Sequence, residues 1–515
     1  MGESQTACRE SLFGLTFNHS IKVEARPERL SSEAGALLLR EIDERLGLTR
    51  SLTAKLLDPR NPALVIHPLS ELLRARLCMI AEGWGDQDDA DKLRHDPALR
   101  LAVSNRKGDA PLRSEVDTLI PNGLASQPTQ SRLVETLALE QNRQALRSAL
   151  LDWAARGVVA RRGHVFQHIT VDFDSTMLEV FGSQGGTAYN GHYACRGYHP
   201  LAALVAETGD WVDAMLRSGE VWTAEGAVEF VLSVLARVEK TIGLVAMVRG
   251  DAGMVDDPML SALEQRRNAN GNPAPTSYVF RLKSNPRLEA LAEPYVKRPA
   301  GRPPQEGREW THELEYQAES WRIPRRVVLV VLERPGSLFL DYFFLVTNLA
   351  IGQLDGAALL ASYRPRGAME AHLGELKSTL MPALSCSERQ RERPRTDEER
   401  ARADERDSHC NEATMLLYLL AYNLANQARL LMEEAVPQAI PATTGHQDLS
   451  EVYGNGSQQL QRRGWSLQRL REQVLKAAAR FLLGGREVRV VITGAAAELW
   501  RSLWRRIERL QPLTG

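Results

Sequence analysis

At 515 residues, with 43% hydrophobic and 25% charged residues, the chain has material for about three globular domains and is excluded from the disordered and fibrous classes. Its net charge of −1 excludes a general attraction to polyanions, so a nucleic-acid partner would have to be held by local basic patches. The five cysteines (Cys8, Cys78, Cys195, Cys386 and Cys410) are odd in number and lack Cys-x-x-Cys or His-paired spacing. They read as reduced thiols of a cytosolic protein, not as a disulfide framework or zinc centre.

The opening, MGESQTACRE, does not read as a secretory leader, and Gly2 with Thr6 meets the myristoylation pattern only loosely. Residues 1–160 read as mainly helical. LSSEAGALLLREIDERLG has a serine start signal and apolar residues at helical spacing. SQPTQSRLVETLALEQNRQALRSALLDWAARG repeats the pattern, with Pro128 near its start. Ser126, Gln127, Thr129, Gln130 and Arg132 could begin a DNA-recognition helix, although a plain capped helix explains the same text.

The period changes to two at HVFQHITVDFDST, where Val171 and Phe173 alternate with Thr170, Asp172, Asp174 and Thr176. A helix (AEGAVEFVLSVLARVEKT) and a second strand (IGLVAMV, running into RGDAG) follow, and this order predicts an α/β core. From residue 263, a loop (RNANGNPAPTS) leads into four predicted strands: YVFRLKS, THELEYQAESW, RRVVLVVLERP and DYFFLVTNL. Helices return at YRPRGAMEAHLGELK and at MLLYLLAYNLANQARLL. The second contains Asn423, Asn426, Gln427 and Arg429, which a membrane span would bury at high cost, so it reads as a core helix. SERQRERPRTDEERARADERDSH is dense in both charge signs and nearly free of apolar residues, which predicts a mobile, solvated insertion. The chain closes with an Arg-rich helix (QQLQRRGWSLQRLREQVLKAAARFLL), a strand (REVRVVIT) and a terminal helix. No repeat, P-loop, GxSxG or zinc spacing is present.

In YRPRGAMEAHLGELK, Tyr363, Arg366, Glu370 and Lys377 fall on one narrow stripe of an α-helix, beside an apolar stripe of Met369, Leu373, Leu376 and Leu380. A surface helix with an ordinary Arg366–Glu370 pair explains the stripe taken alone. However, Asp174 lies at the end of one predicted strand and Asp251 just past another. Carboxylates at the ends of adjacent strands, joined by a glutamate on a packed helix, can converge on one point. Two divalent cations would relieve their repulsion and clamp an in-line phosphoryl transfer. Mg²⁺ suits all-oxygen ligands, and Mn²⁺ would also fit. Arg366 and Lys377 would then reach phosphates, with Tyr363 donating to one or stacking beside it.

The Y-(2)-R-(3)-E-(6)-K spacing, the strand ending in Asp-Ser-Thr, and RGDAG resemble cut-and-paste DDE transposases of bacterial insertion sequences. DFDSTMLEVFGSQGGTAYN, GYHPLAAL, SQPTQSRLVE and NEATMLLYLLAYNLANQARLL resemble the insertion-sequence thirteen-eighty family, over residues 10 to 500. The resemblance implies an α/β fold with an RNase H-like catalytic core at 161–262 and 351–440, the second part carrying the charged insertion 387–409. A β-strand insertion at 263–350 would interrupt the core, after a helical N-terminal DNA-end-binding and dimerisation region at 1–160 and before a small C-terminal helical region at 441–515. Asp174, Asp251 and Glu370 take the places of the catalytic, metal-holding triad, and Tyr363, Arg366 and Lys377 those of the DNA-end contacts. Asp172 competes with Asp174 for the first place, because both point to the same strand face.

The implied activity is Mg²⁺-dependent (Mn²⁺ possible) cleavage at terminal inverted repeats of double-stranded DNA, freeing 3′-hydroxyls that attack the opposite strand or target DNA. The implied form is a homodimer in the bacterial cytoplasm. Related enzymes splay out a base, for which Trp310 and Trp321 are wedge candidates, with a buried core role as the alternative for each. Ala371, His372 and Gly374 depart from the family's usual polar or basic residues, and Gly374 costs about 1 kcal/mol of helix stability. Two rival readings are an RNase H-like nuclease without strand transfer and a non-catalytic DNA-binding relic. The lone histidines His164, His168, His192 and His199 read as packing or capping residues.

Overall fold

The computed structural model describes residues 10–14, 17, 20, 22–25, 28–110, 112, 123–182, 184–268, 271–301, 305–386, 396–433, 464–484, 487–492 and 494–511. Its centre is a mixed eight-stranded sheet built from β1 (His168–Ser175), β2 (Leu201–Val205), β3 (Asp210–Met215), β4 (Leu244–Gly250), β5 (Ser277–Leu282), β6 (Arg308–Tyr316), β7 (Arg325–Glu333) and β8 (Asp341–Thr347). The spatial order is β6-β7-β8-β5-β4-β1-β2-β3. Strands β1, β4 and β5 run parallel as neighbours, and every other pairing is antiparallel. The predicted strands within 263–350 therefore extend this sheet: β5 adds to β4, and β6–β8 continue the same edge.

Alternation explains the faces. Ile169, Val171 and Phe173 of β1 bury one face under helix α2 (Ala227–Thr241), which contributes Phe230, Val231, Val234, Leu235 and Val238. The hairpin β2–β3 was not anticipated. LAALV (β2) is buried on both faces, so it shows no alternation, and its alanines and leucines favour helix when read alone.

Helix α1 (Glu140–Arg162) and the helices Gly35–Leu46 and Leu69–Ala81 pack with a long C-terminal helix into one hydrophobic cluster. Pro128 lies in the first turn of Gln127–Leu137, as expected, but Gln130 is buried and cannot read a base.

The long helix spans Asp397–Glu433 and includes the apolar stretch from Met415. Inside it, Asn423 bonds the backbone of Trp211 (2.9 and 2.7 Å), and Asn426 and Gln427 donate to Asp210 (2.6 and 3.0 Å). It is a core helix, and among the described residues no helix is long and apolar enough to cross a membrane. Its first turns correct the expectation of a structureless charged insertion over 387–409. Residues 397–409 are helical and mostly exposed, because extending an existing helix needs no new nucleus and Arg402–Glu398 supplies an i,i+4 pair. Residues 387–395 lie outside the described residues.

The Arg-rich C-terminal helix is also corrected. Among its described residues only Leu467–Leu475 is helical, and Ala479–Leu483 is a strand between Val488–Ile492 and Leu30–Ser31. Ala479 and Phe481 are buried while Arg480 and Leu482 are exposed, so the period of two prevails over helix propensity.

Candidate active site

Asp174 and Asp172 share one face of β1 but have different partners. Asp172 is 1% exposed and accepts two bonds from Arg249 on the parallel neighbour β4, Nε to Oδ1 at 2.6 Å and Nη2 to Oδ2 at 2.8 Å. Arg249 also donates to the Ser362 carbonyl (2.7 Å), so this pair ties two strands to helix α3 (Gly356–Tyr363). Asp174 accepts from the Ser175 N–H (2.9 Å) and from Arg366 Nη2 (2.8 Å). Asp251 follows the last residue of β4 and accepts from the Gly253 N–H (3.1 Å), capping a short turn.

Glu370 stands on helix α4 (Gly367–Glu375), its side chain 65% exposed, and accepts from Arg366 Nη1 at 2.8 Å. The guanidinium of buried Arg366 thus bridges Asp174 and Glu370. Burial pushes the Asp174 carboxyl up to about 7; Arg366 opposes this, and the nearby charges of Asp251 and Glu370 add to it.

Tyr363, Arg366, Glu370 and Lys377 do not share one α-helix. Helix α3 ends at Tyr363, Pro365 sits in a tighter turn over Arg364–Arg366, and α4 passes into a wider π turn at Leu376–Leu380. Pro365 removes a backbone donor, and the Ser378 hydroxyl takes the Gly374 carbonyl (2.8 Å), which perturbs the regular ladder. Even so, these four residues line one cleft of about 670 Å³ together with Asp174 and Asp251.

A model of the transposase DDE domain, group 1, matches residues 13–444. The chain belongs to this family of DDE transposases. A cryo-EM structure of a piggyBac transposase synaptic complex with hairpin DNA is similar at 12% identity and a TM-score of 0.33, covering 81% of this chain and 87% of that one. No curated protein matches.

The cleft of this DDE transposase also contains residues outside the set expected from the sequence. Arg281 and Lys283 lie at the carboxyl end of β5, next to β4, and Tyr193, Tyr342 and Phe343 add an aromatic lining. The R-L-K alternation in YVFRLKS, which puts both cations on one strand face, was the available signal. Among the described residues, no carboxylate pairs with Arg281, Lys283 or Lys377.

Trp310 and Trp321, the wedge candidates, do not line the cleft. Trp321 is buried against Tyr316 and Arg325, and Trp310 packs beside Arg308. His372 turns inward to bond the Tyr422 hydroxyl (2.7 Å), which accounts for one departure from the family; Ala371 is exposed and Gly374 lines the cleft.

Among the described residues, no three His, Cys, Asp or Glu side chains stand close enough to hold a metal as they are arranged. The donor set nevertheless fits a hard divalent cation, since three carboxylates line the cleft and Arg366 occupies the position between two of them.

Proposed function

We propose that this protein is a cut-and-paste DNA transposase of a bacterial insertion sequence, akin to the thirteen-eighty family. It would act in the cytoplasm as a homodimer on the terminal inverted repeats and target DNA. One observation carries the reading: Asp174, Asp251, Glu370, Tyr363, Arg366 and Lys377, from distant parts of the chain, line a single cleft at the carboxyl ends of adjacent parallel strands.

The strand order β3-β2-β1-β4, with β1 and β4 parallel, supports an RNase H-like core at 161–262 and 351–440; within the segment 263–350 proposed as an insertion, β5 continues the parallel run beside β4 and β6–β8 extend the same edge. Region 1–160 would bind ends and dimerise, and 441–515 would form the C-terminal region.

Asp174, Asp251 and Glu370 would hold Mg²⁺ or Mn²⁺ as the catalytic triad. When bound, the metal supplies charge neutralisation at the scissile phosphate and activation of the attacking oxygen. Lys377, Arg281 and Lys283 hold backbone phosphates, and Tyr363 donates to or stacks beside one. Arg366 exchanges its carboxylate partners for a phosphate as the cleft fills.

Excision of a segment from a supercoiled plasmid bearing the DNA that flanks this gene, in Mg²⁺, tests the reading. The parent protein should excise and Glu370→Gln should not. Excision unaffected by that change would remove Glu370 from the site. End binding without cleavage by either protein would favour the non-catalytic relic.

A further inference from the structure

Tyr193 lines the cleft but has been given no chemical role so far. It stands on the turn 191–194, between the short strands Ala188–Asn190 and Cys195–Tyr198 of a small antiparallel sheet that follows β1.

This turn is tightly determined. Asn190 Oδ1 accepts the backbone N–H groups of His192 (3.0 Å) and Tyr193 (3.2 Å), while its Nδ2 donates to the Gly219 carbonyl (2.6 Å). Ala194 is held at φ 53°, a left-handed conformation that costs a residue with a Cβ about 1–2 kcal/mol. Strain of this kind persists only where the surroundings impose it, and it clusters at functional sites.

The product of the turn is a positioned ring. Tyr193 meets His192 edge-on (4.9 Å between centroids, 86°) and leans on His199 (5.9 Å), whose own Nδ1 is fixed by the Val221 carbonyl at 2.9 Å. Tyr193 is 44% exposed and lines the same cleft as Asp174 and Asp251. Among the described residues its hydroxyl has no hydrogen-bond partner. Burial, and then the charges of Asp174 and Asp251, push that hydroxyl above its ordinary range, so it stays protonated. A lysine or arginine here would add a further cation to compete for the aspartates, whereas a neutral phenol adds none.

We infer that Tyr193 is a substrate-contacting residue whose phenolic O–H donates to a non-bridging oxygen of the scissile DNA phosphodiester in the cleft it shares with Asp174 and Asp251. The phenol keeps its proton throughout and stabilises the charge that grows on the phosphoryl oxygens. This rests on the reading of the cleft as the DNA-cleaving site.

The test is single-turnover nicking of a supercoiled plasmid carrying the flanking DNA, with binding of the same flanking duplex measured separately. Tyr193→Phe removes the donor and retains the ring packing on His192 and His199, so folding is preserved. It should bind duplex within about twofold of the parent yet nick about 100-fold more slowly, as expected for the loss of one preorganised donor. Parental nicking by Tyr193→Phe would overturn the inference, even if Tyr193→Ala were slow, because the ring alone would then matter. Parental nicking by Glu370→Gln would instead remove the reading beneath it. Loss of nicking in Glu370→Gln with full activity in Tyr193→Phe would defeat the inference alone.

Discussion

Asp172 and Asp174 stand two residues apart on one strand face, and their surroundings give them opposite properties. Asp172 is enclosed with Arg249 in a buried bidentate pair. Removing one partner of such a pair leaves the other charge uncompensated, so Asp172→Asn should destabilise the fold by about 3 kcal/mol in urea unfolding. Asp174 is different, because burial already disfavours its ionised form and raises its carboxyl to about 7. Asp174→Asn should keep stability within about 1 kcal/mol of the parent at neutral pH while abolishing nicking. A folded, stable Asp172→Asn protein that cannot nick would hand the first catalytic place to Asp172. The sequence shows both acids but not this distinction, since it depends on Arg249 lying opposite Asp172 across a register set 77 residues away.

Helix α4, which carries Glu370, is tied down at its far end. There Glu375 accepts from Tyr422 Oη and Arg429 Nη1 (2.8 Å each) and from the Leu467 N–H (2.9 Å). Burial would raise its carboxyl, but His372, Arg429, the Leu467 amide and Tyr422 outweigh it and hold the group down to about 2. A carboxyl depressed from its ordinary 4.5 contributes stability that is present above pH 4.5 and is lost as pH falls through 2. The contribution is about 3 kcal/mol when complete. Glu375→Gln should therefore lower the urea midpoint at pH 7 and flatten the stability profile between pH 4.5 and 2; an unchanged profile would show that the clamp holds nothing. Elements were legible where local pattern and tertiary role agreed, as in the alternation of β1 and the amphipathic face of α2. They were not legible where burial removed the pattern, as in β2, or where one proline and one serine hydroxyl divided a periodic stretch into three kinds of turn, as between Tyr363 and Leu380.

Across the whole molecule, 64 basic residues face 65 acidic ones, and many of these charges are paired between distant segments. Arg143 and Arg147 of α1 both bond Glu412 of the long C-terminal helix, and Arg147 reaches Asp213 of β3 at 2.9 Å. Such pairings, like Asn423 with Trp211, join the N-terminal helices, the sheet and the C-terminal helix, and separations of some 200 residues hide them from any local reading. A chain balanced in this way gains little DNA attraction from its net charge, so under the proposed function the phosphate contacts made in the cleft would rest on the cations that line it. Arg281, Lys283 and Lys377 line it without a carboxylate partner among the described residues, the first two at the end of β5 and the third in the helical segment after α4. Each phosphate neutralised contributes about 0.9 to the slope of log affinity against log salt. Replacing Arg281 and Lys283 together by alanine should thus weaken binding of the flanking duplex and make that slope shallower by about 2. Fluorescence anisotropy over a salt series measures it. Replacing Arg400 and Arg402, which pair with Asp397 and Glu398 on the exposed start of the long helix, should leave the slope unchanged. An equal effect from both double variants would mean that binding follows overall charge, and a slope unmoved by the cleft pair would place the DNA backbone elsewhere.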